Sequence, residues 1–330
     1  MNDACQTHGV EITWHTETGG PDSPMPDEWR WVEVDTGRLS LSIMSIGATL
    51  WDVRYPDRSG DRAVNLTKTL PSIEDYVDPA INKGYGSTIG RYANRIAGAA
   101  YEIDGVRHEV VANEGPNQLH GGPDHFGFRQ WELTEIAQGV RATLVSPDGD
   151  QGHPGRLEVT LDVVVEPDAF ELRYSATSDA HTVVNLTNHA YWNLAGSDDA
   201  RGHELSVAAD RVVMVDGASI PTEIVDVDGA FDLRAPVPLS ERPDGFDHCF
   251  TGRELTAVLR EPSSGRRMTV STDQPGLQVY TANFADPPYS AVCLEAQLLP
   301  DTPNRPDFGS AVLRPGATYT QVTRHDFGVG

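Results

Sequence analysis

Runs in which apolar and polar residues alternate recur along most of this chain, and no long amphipathic helical pattern separates them; residues 157–163 (Leu-Glu-Val-Thr-Leu-Asp-Val) and 170–176 are the clearest. A period of two sends successive side chains to opposite faces of a strand. Further β-prone runs fall at 32–34, 39–43, 48–53, 142–145, 255–259, 267–272 and 277–281. A doubly wound α/β fold needs substantial helices between its strands, so the pattern predicts an all-β protein built as a large antiparallel β-sandwich. A length of 330 residues is ample for one sheet domain of that kind. Asp104-Gly105, a strong tight-turn pair, predicts a hairpin between residues 101–103 and 107–110. Residues 147–155 read as a hairpin excursion or a binding loop, and 71–90 as turns with short helical pieces. The polar, turn-rich opening sets residues 1–29 apart as an N-terminal arm or irregular edge, leaving 30–330 as a single β-sandwich domain.

Charge narrows the partners. The formal net charge is −24, and the lysines are Lys68 and Lys83 alone. Phosphate backbones are bound by clustered cations, so nucleic acid is excluded as an expected partner; Schiff-base chemistry has few candidates. No run approaches the roughly 20 apolar residues of a membrane helix. Cys5, Cys249 and Cys293 are sparse and unpaired in spacing, and no basic segment leads into an apolar core at the N-terminus. The expected compartment is therefore the cytoplasm, with no membrane, and the sequons at Asn65 and Asn185 carry no weight there. The histidines lack an HExxH or Cys/His pattern, and the glycines of 84–90 lack dinucleotide-binding spacing. Neither a metal nor a cofactor is expected.

Two segments carry the strongest chemical signal. His189 follows the alternating run 183–187 and precedes Tyr191-Trp192. A strand there aims the imidazole into an aromatic-lined pocket, where it can give or take a proton near neutral pH; the alternative is a structural histidine among core aromatics. Glu295 interrupts the apolar residues 291–294, and Gln297 shares its strand face. A carboxylate so placed abstracts a hydroxyl proton once burial raises its pKa; the alternative is an ion pair at a rim.

Other residues fit a polyol site only if they converge. His120, before Gly121-Gly122, can bond a sugar oxygen while Arg95 offers a cationic fork to developing charge; singly they read as a surface histidine and a salt-bridge arginine. Asp247, in a segment read as a loop, suits vicinal hydroxyls, with His248 and Cys249 as its support or as core. Gln278 offers a neutral donor and acceptor unless its sheet face meets water. Tyr191 and Trp192, being adjacent, point to opposite faces; Tyr191 is expected at the ligand and Trp192 in the core, with Trp131 also packing.

Together, Gly90-Arg91-Tyr92-Ala93-Asn94-Arg95-Ile96, Leu119-His120-Gly121-Gly122, Asn188-His189-Ala190-Tyr191-Trp192-Asn193, Phe246-Asp247-His248-Cys249-Phe250 and Glu295 resemble the aldose 1-epimerase, or galactose mutarotase, family, in family order across residues 30–325. The resemblance implies a galactose mutarotase-like supersandwich with an open carbohydrate cleft. It implies Glu295 as base and His189 as acid, with Asn94, Arg95, His120, Tyr191, Asp247 and Gln278 binding substrate and Arg91 supporting the structure. The implied activity is interconversion of the α and β anomers of a free aldohexose such as galactose or glucose by ring opening and closure, without cofactor or metal, in a monomer or homodimer. Residues 298–301 are less aromatic than is common in the family, and the Gly-Phe approach to Asp247 also departs from it, which leaves the sugar open. The alternatives are a noncatalytic carbohydrate-binding protein of the same fold, and an epimerase for a modified or phosphorylated sugar, against which the acidic balance argues. A glycoside hydrolase would need a second catalytic carboxylate.

Overall fold

The alternation at 157–163 becomes the strand Leu157–Glu166, in which Leu157, Val159, Leu161, Val163 and Val165 are buried and the intervening residues are not. In the computed structural model, which describes residues 9–19 and 23–330, it lies in a nine-stranded antiparallel sheet. That sheet runs in the order Glu132–Ile136, Gly139–Ser146, Leu157–Glu166, Ala169–Ser178, Tyr319–Val329, Arg266–Thr272, Thr256–Arg260, Glu204–Val207 and Val237–Pro238. A six-stranded antiparallel sheet runs Tyr191–Trp192, Val292–Gln297, Gly276–Tyr280, Asp247–Thr251, Arg211–Val215 and Pro221–Asp226. Helical content among the described residues is confined to 3-10 turns of three or four residues. The expected antiparallel β-sandwich is the observed architecture.

One apolar core joins the layers. Leu161, Phe170 and Met268 from the nine-stranded sheet pack in the same cluster as Leu277, Val292 and Leu294 from the six-stranded one and Val32 and Leu41 from a four-stranded sheet near the N-terminus. Burial of such side chains is the main drive to this arrangement. Trp192 and Trp131 are both in this core, as expected; truncating a side chain of that size to alanine costs about 3–5 kcal/mol.

Local expectations fare unevenly. The hairpin across Asp104-Gly105 forms, with both turn residues at positive φ (52° and 81°). Part of the expected N-terminal arm or irregular edge is regular, since Glu11–Glu17 pairs along its length with Trp29–Asp35; residues 1–8, with Cys5, and 20–22 lie outside the described residues. Residues 147–155 are an excursion rather than a ligand loop. The Arg91 guanidinium, buried at 2% exposure, donates to the carbonyls of Pro147, Pro154 and Gly155 at 3.1, 2.9 and 3.0 Å. With the hydroxyls of Ser146 and Thr182 these carbonyls hold the two terminal nitrogens, while Nε is buried without a partner among the described residues; no ion pair joins Arg91 there, and burial lowers its pKa to about 10. Cys249 and Cys293 are buried free thiols. No helix among the described residues is long and apolar enough to cross a membrane.

Candidate active site

The strand Val292–Gln297 is buried on both faces, so its alternation separates two environments. Val292, Leu294 and Ala296 belong to the main core, whereas Glu295 lines a cleft of about 460 Å³, a size suited to a small ligand. Neighbouring strands add to the same face by register: Gln278 pairs with Glu295, Cys249 with Gln278, and Asp247 with Tyr280. Gln278 Nε2 donates to Asp247 Oδ1 at 2.7 Å. The segment 247–250, expected as a loop, is thus a strand, and this regularity aligns Asp247 with the site.

His189 is fixed from behind. Its N–H donates to the Ser87 carbonyl and its own carbonyl accepts from Gly86 N–H, both at 3.0 Å. Its ring lies against Gly84, where a Cβ would stand 3.2 Å from His189 Cδ2. The ring also stacks on Tyr191 (5.0 Å between centroids, 13° between planes), which stacks in turn on Tyr85 at 4.1 Å. His189 Nε2 then stands 3.6 Å from Glu295 Oε1.

The facing wall comes from the paired segments Arg95–Ile96 and Gln118–Leu119. His120 N–H donates to the Asn94 carbonyl at 3.0 Å, and Asn94 N–H donates to His120 Nδ1 at 3.2 Å. Gly121 permits this approach, because a Cβ there would fall 2.3 Å from the Gly90 carbonyl oxygen. The Nδ1 lone pair being taken, the neutral His120 ring carries its proton on Nε2 and is a donor. The Arg95 guanidinium is held by Glu114 at 2.6 and 2.9 Å.

Burial sets the proton affinities. It pushes the Glu295 carboxyl well above its usual range, helped by the negative Asp247 and opposed by Arg95. It lowers His189 to about 4, and it lowers His120 well below its usual range, with His189, His125 and Arg95 adding to the effect. Desolvation therefore makes the carboxylate a stronger base and the His189 imidazolium a stronger acid.

All eight positions singled out in the sequence line this one cleft. A family model for aldose 1-epimerase matches residues 30–326. The chain belongs to the aldose 1-epimerase family. It is 37% identical to galactose mutarotase of Bos taurus, over 90% of this chain and 93% of the relative, and equally identical to that of Homo sapiens. It is 35% identical to aldose 1-epimerase of Escherichia coli, over 88% and 92%. A solved aldose epimerase homologue from C. elegans superposes with a TM-score of 0.84 at 29% identity, covering 88% of this chain and 96% of that one. Galactose 1-epimerase of Lactobacillus acidophilus shares the fold, with a TM-score of 0.82 at 24% identity over 97% and 99%. The protein is accordingly an isomerase that interconverts aldose anomers.

Within this epimerase, His120, His189 and Glu295 place one ligand atom each within 4.8 Å of one another, and their fit to a metal ion can be tested. A metal needs a free lone pair on His120 Nε2, yet the Asn94 N–H at Nδ1 puts the proton there. The triad suits hydroxyl groups better than a cation. Sequence reasoning missed His125, whose Nδ1 accepts from Gly127 N–H at 3.0 Å, and Phe284, 81% exposed at the rim. No motif marks either residue. The nearest local signal for His125 was its distance of five residues from His120.

Proposed function

We propose that Glu295 is the general base and His189 the general acid of an aldose 1-epimerase acting on a free aldohexose, galactose or glucose. The observation that carries this reading is the 3.6 Å between His189 Nε2 and Glu295 Oε1 in a buried cleft. The anomeric hydroxyl and the ring oxygen share one carbon, so a base for the first and an acid for the second must stand only a few ångströms apart. Glu295 takes the proton of the anomeric hydroxyl, C1 becomes a carbonyl, and the C1–O5 bond breaks with its electrons going to O5. His189 Nε2–H protonates that oxygen. Rotation about C1–C2 exposes the other carbonyl face, and the same transfers in reverse close the ring to the other anomer.

The remaining groups fit positioning and charge stabilisation. His120 Nε2–H and Arg95 offer donors to oxygen charge, the Asp247 carboxylate accepts from vicinal hydroxyls beside Gln278, Asn94 bonds a further one, and Tyr191 offers an apolar face to C–H groups. Arg95 and Lys83 are the cations lining the cleft, and Arg95 is paired with Glu114. This supports a neutral sugar over a phosphorylated one. The reading takes residues 30–330 as one domain in a cytoplasmic monomer or homodimer, with a monosaccharide as its partner rather than nucleic acid or membrane.

Polarimetry on freshly dissolved α-D-galactose and α-D-glucose tests the assignment. The protein should speed the approach to the unchanged equilibrium rotation, and Glu295→Gln should not. A folded Glu295→Gln protein of wild-type rate would remove Glu295 from the role.

A further inference from the structure

The face that carries Glu295 holds more polar atoms than its own hydrogen bonds satisfy. Three adjacent strands form a grid there, by register: Asp247, Tyr280 and Cys293 in one row, Cys249, Gln278 and Glu295 in the next, and Thr251, Gly276 and Gln297 in the third. Gln278 Oε1, Glu295 Oε2 and both amide atoms of Gln297 are buried with no protein partner. Gln297 is fully buried. Its side chain lies beside the Cys249 thiol, and, two residues from Glu295, it shares that residue's face of the strand.

Buried polar groups cost free energy unless they find a partner, either direct or through an ordered water with several polar neighbours. Of these four atoms the Gln297 amide nitrogen is the donor, and Glu295 Oε2 is the carboxylate acceptor. We propose that Gln297 is a positioning residue for the reaction: its Nε2–H donates to Glu295 Oε2 through one bridging water. This turns Oε1 toward His189 and the sugar. The inference rests on Glu295 being the base. Gln297 touches neither substrate nor the reacting atoms, so its effect passes through the carboxylate.

A donor to Oε2 favours the ionised carboxylate. Removing it should lower kcat about 10- to 100-fold, the worth of a hydrogen bond to a charged group, leave KM near wild type, and move the alkaline limb of the kcat profile to higher pH. The variant of choice is Gln297→Met, close in shape and without polar atoms to strand, and Gln297→Asn tests partial rescue by a shorter amide. Polarimetric rates across pH, with thermal melting to verify folding, read the outcome. A folded Gln297→Met protein of wild-type kcat and unmoved pH profile overturns the proposal, as does a kcat loss without a shift of the limb. Glu295→Gln measured alongside separates the two readings. If that variant is active the base assignment fails; if it is inactive while Gln297→Met is normal, only the positioning role fails.

Discussion

His189 and Glu295 form a buried pair whose facing atoms are 3.6 Å apart, and burial works against the charge on each. In the mechanism proposed above, such a pair shares one proton that moves between the carboxyl and Nε2. Arg95 opposes the rise in the Glu295 pKa and so favours the ionised carboxylate.

Because the two groups act as a unit, their losses should not add. Glu295→Gln and His189→Asn are each expected to lower kcat about 10²- to 10⁴-fold, and the double variant little further. Polarimetric rates of the three proteins check this. A double variant whose loss is the product of the two would mean that the residues act independently.

The direction of the shifts can be read from the histidine itself. With its pKa lowered to about 4 by burial, the free protein should keep His189 neutral at pH 6, where an ordinary imidazole of pKa 6.5 is largely protonated. NMR titration of ring-labelled histidine, assigned with His189→Asn, measures this. A His189 signal that titrates near 6.5 contradicts the desolvated site.

Acid should unfold the protein through its buried histidines. His125, His153 and His325 are each lowered to about 3 by burial, with His189 at about 4. Between those values and 6.5 the unfolded chain binds more protons than the folded one, so the stability is full above 6.5 and is lost as pH falls. Glu295, raised, has the opposite sign: its contribution is present below 4.5 and lost as pH rises, which offsets part of this. His120, His203 and His248, also lowered by burial, add to the loss, each histidine contributing at most about 1.4 kcal/mol per pH unit. Urea unfolding at pH 6.5 and 5.5 should show a large loss of stability; equal values would mean that these rings protonate freely in the folded state.

Gly84 supports His189 with empty space. It has φ of +95°, and a Cβ there would press on the imidazole at 3.2 Å. Gly84→Ala should therefore destabilise the fold by about 1–3 kcal/mol and lower kcat per folded molecule severalfold by displacing the ring. Melting temperature and active-fraction-corrected rates test both effects. Unchanged kcat in the folded variant would show that Gly84 does not set the ring position.

Strand alternation made much of this legible beforehand. It placed Tyr191 at the cleft and Trp192 in the core, and put Glu295 and Gln297 on one face. What it missed depends on partners distant in the chain. Glu114 reaches Arg95 across 19 residues, and residues 147–155 turned out to enclose Arg91, a use of carbonyl groups that leaves no trace in residue type. The tautomer of His120 was equally hidden, since a backbone N–H defines it.

The strand bearing Glu295 has hydrogen-bonded neighbours on both sides, Tyr191–Trp192 and Gly276–Tyr280, and the opposite wall of the cleft comes from residues some 200 positions earlier in the chain. Pairings so remote form late, after local hairpins. Mutarotation recovered on dilution from denaturant is thus a clock for the end of assembly: it should start only after the far-ultraviolet β signal has largely returned, so that a half-built sandwich is catalytically silent.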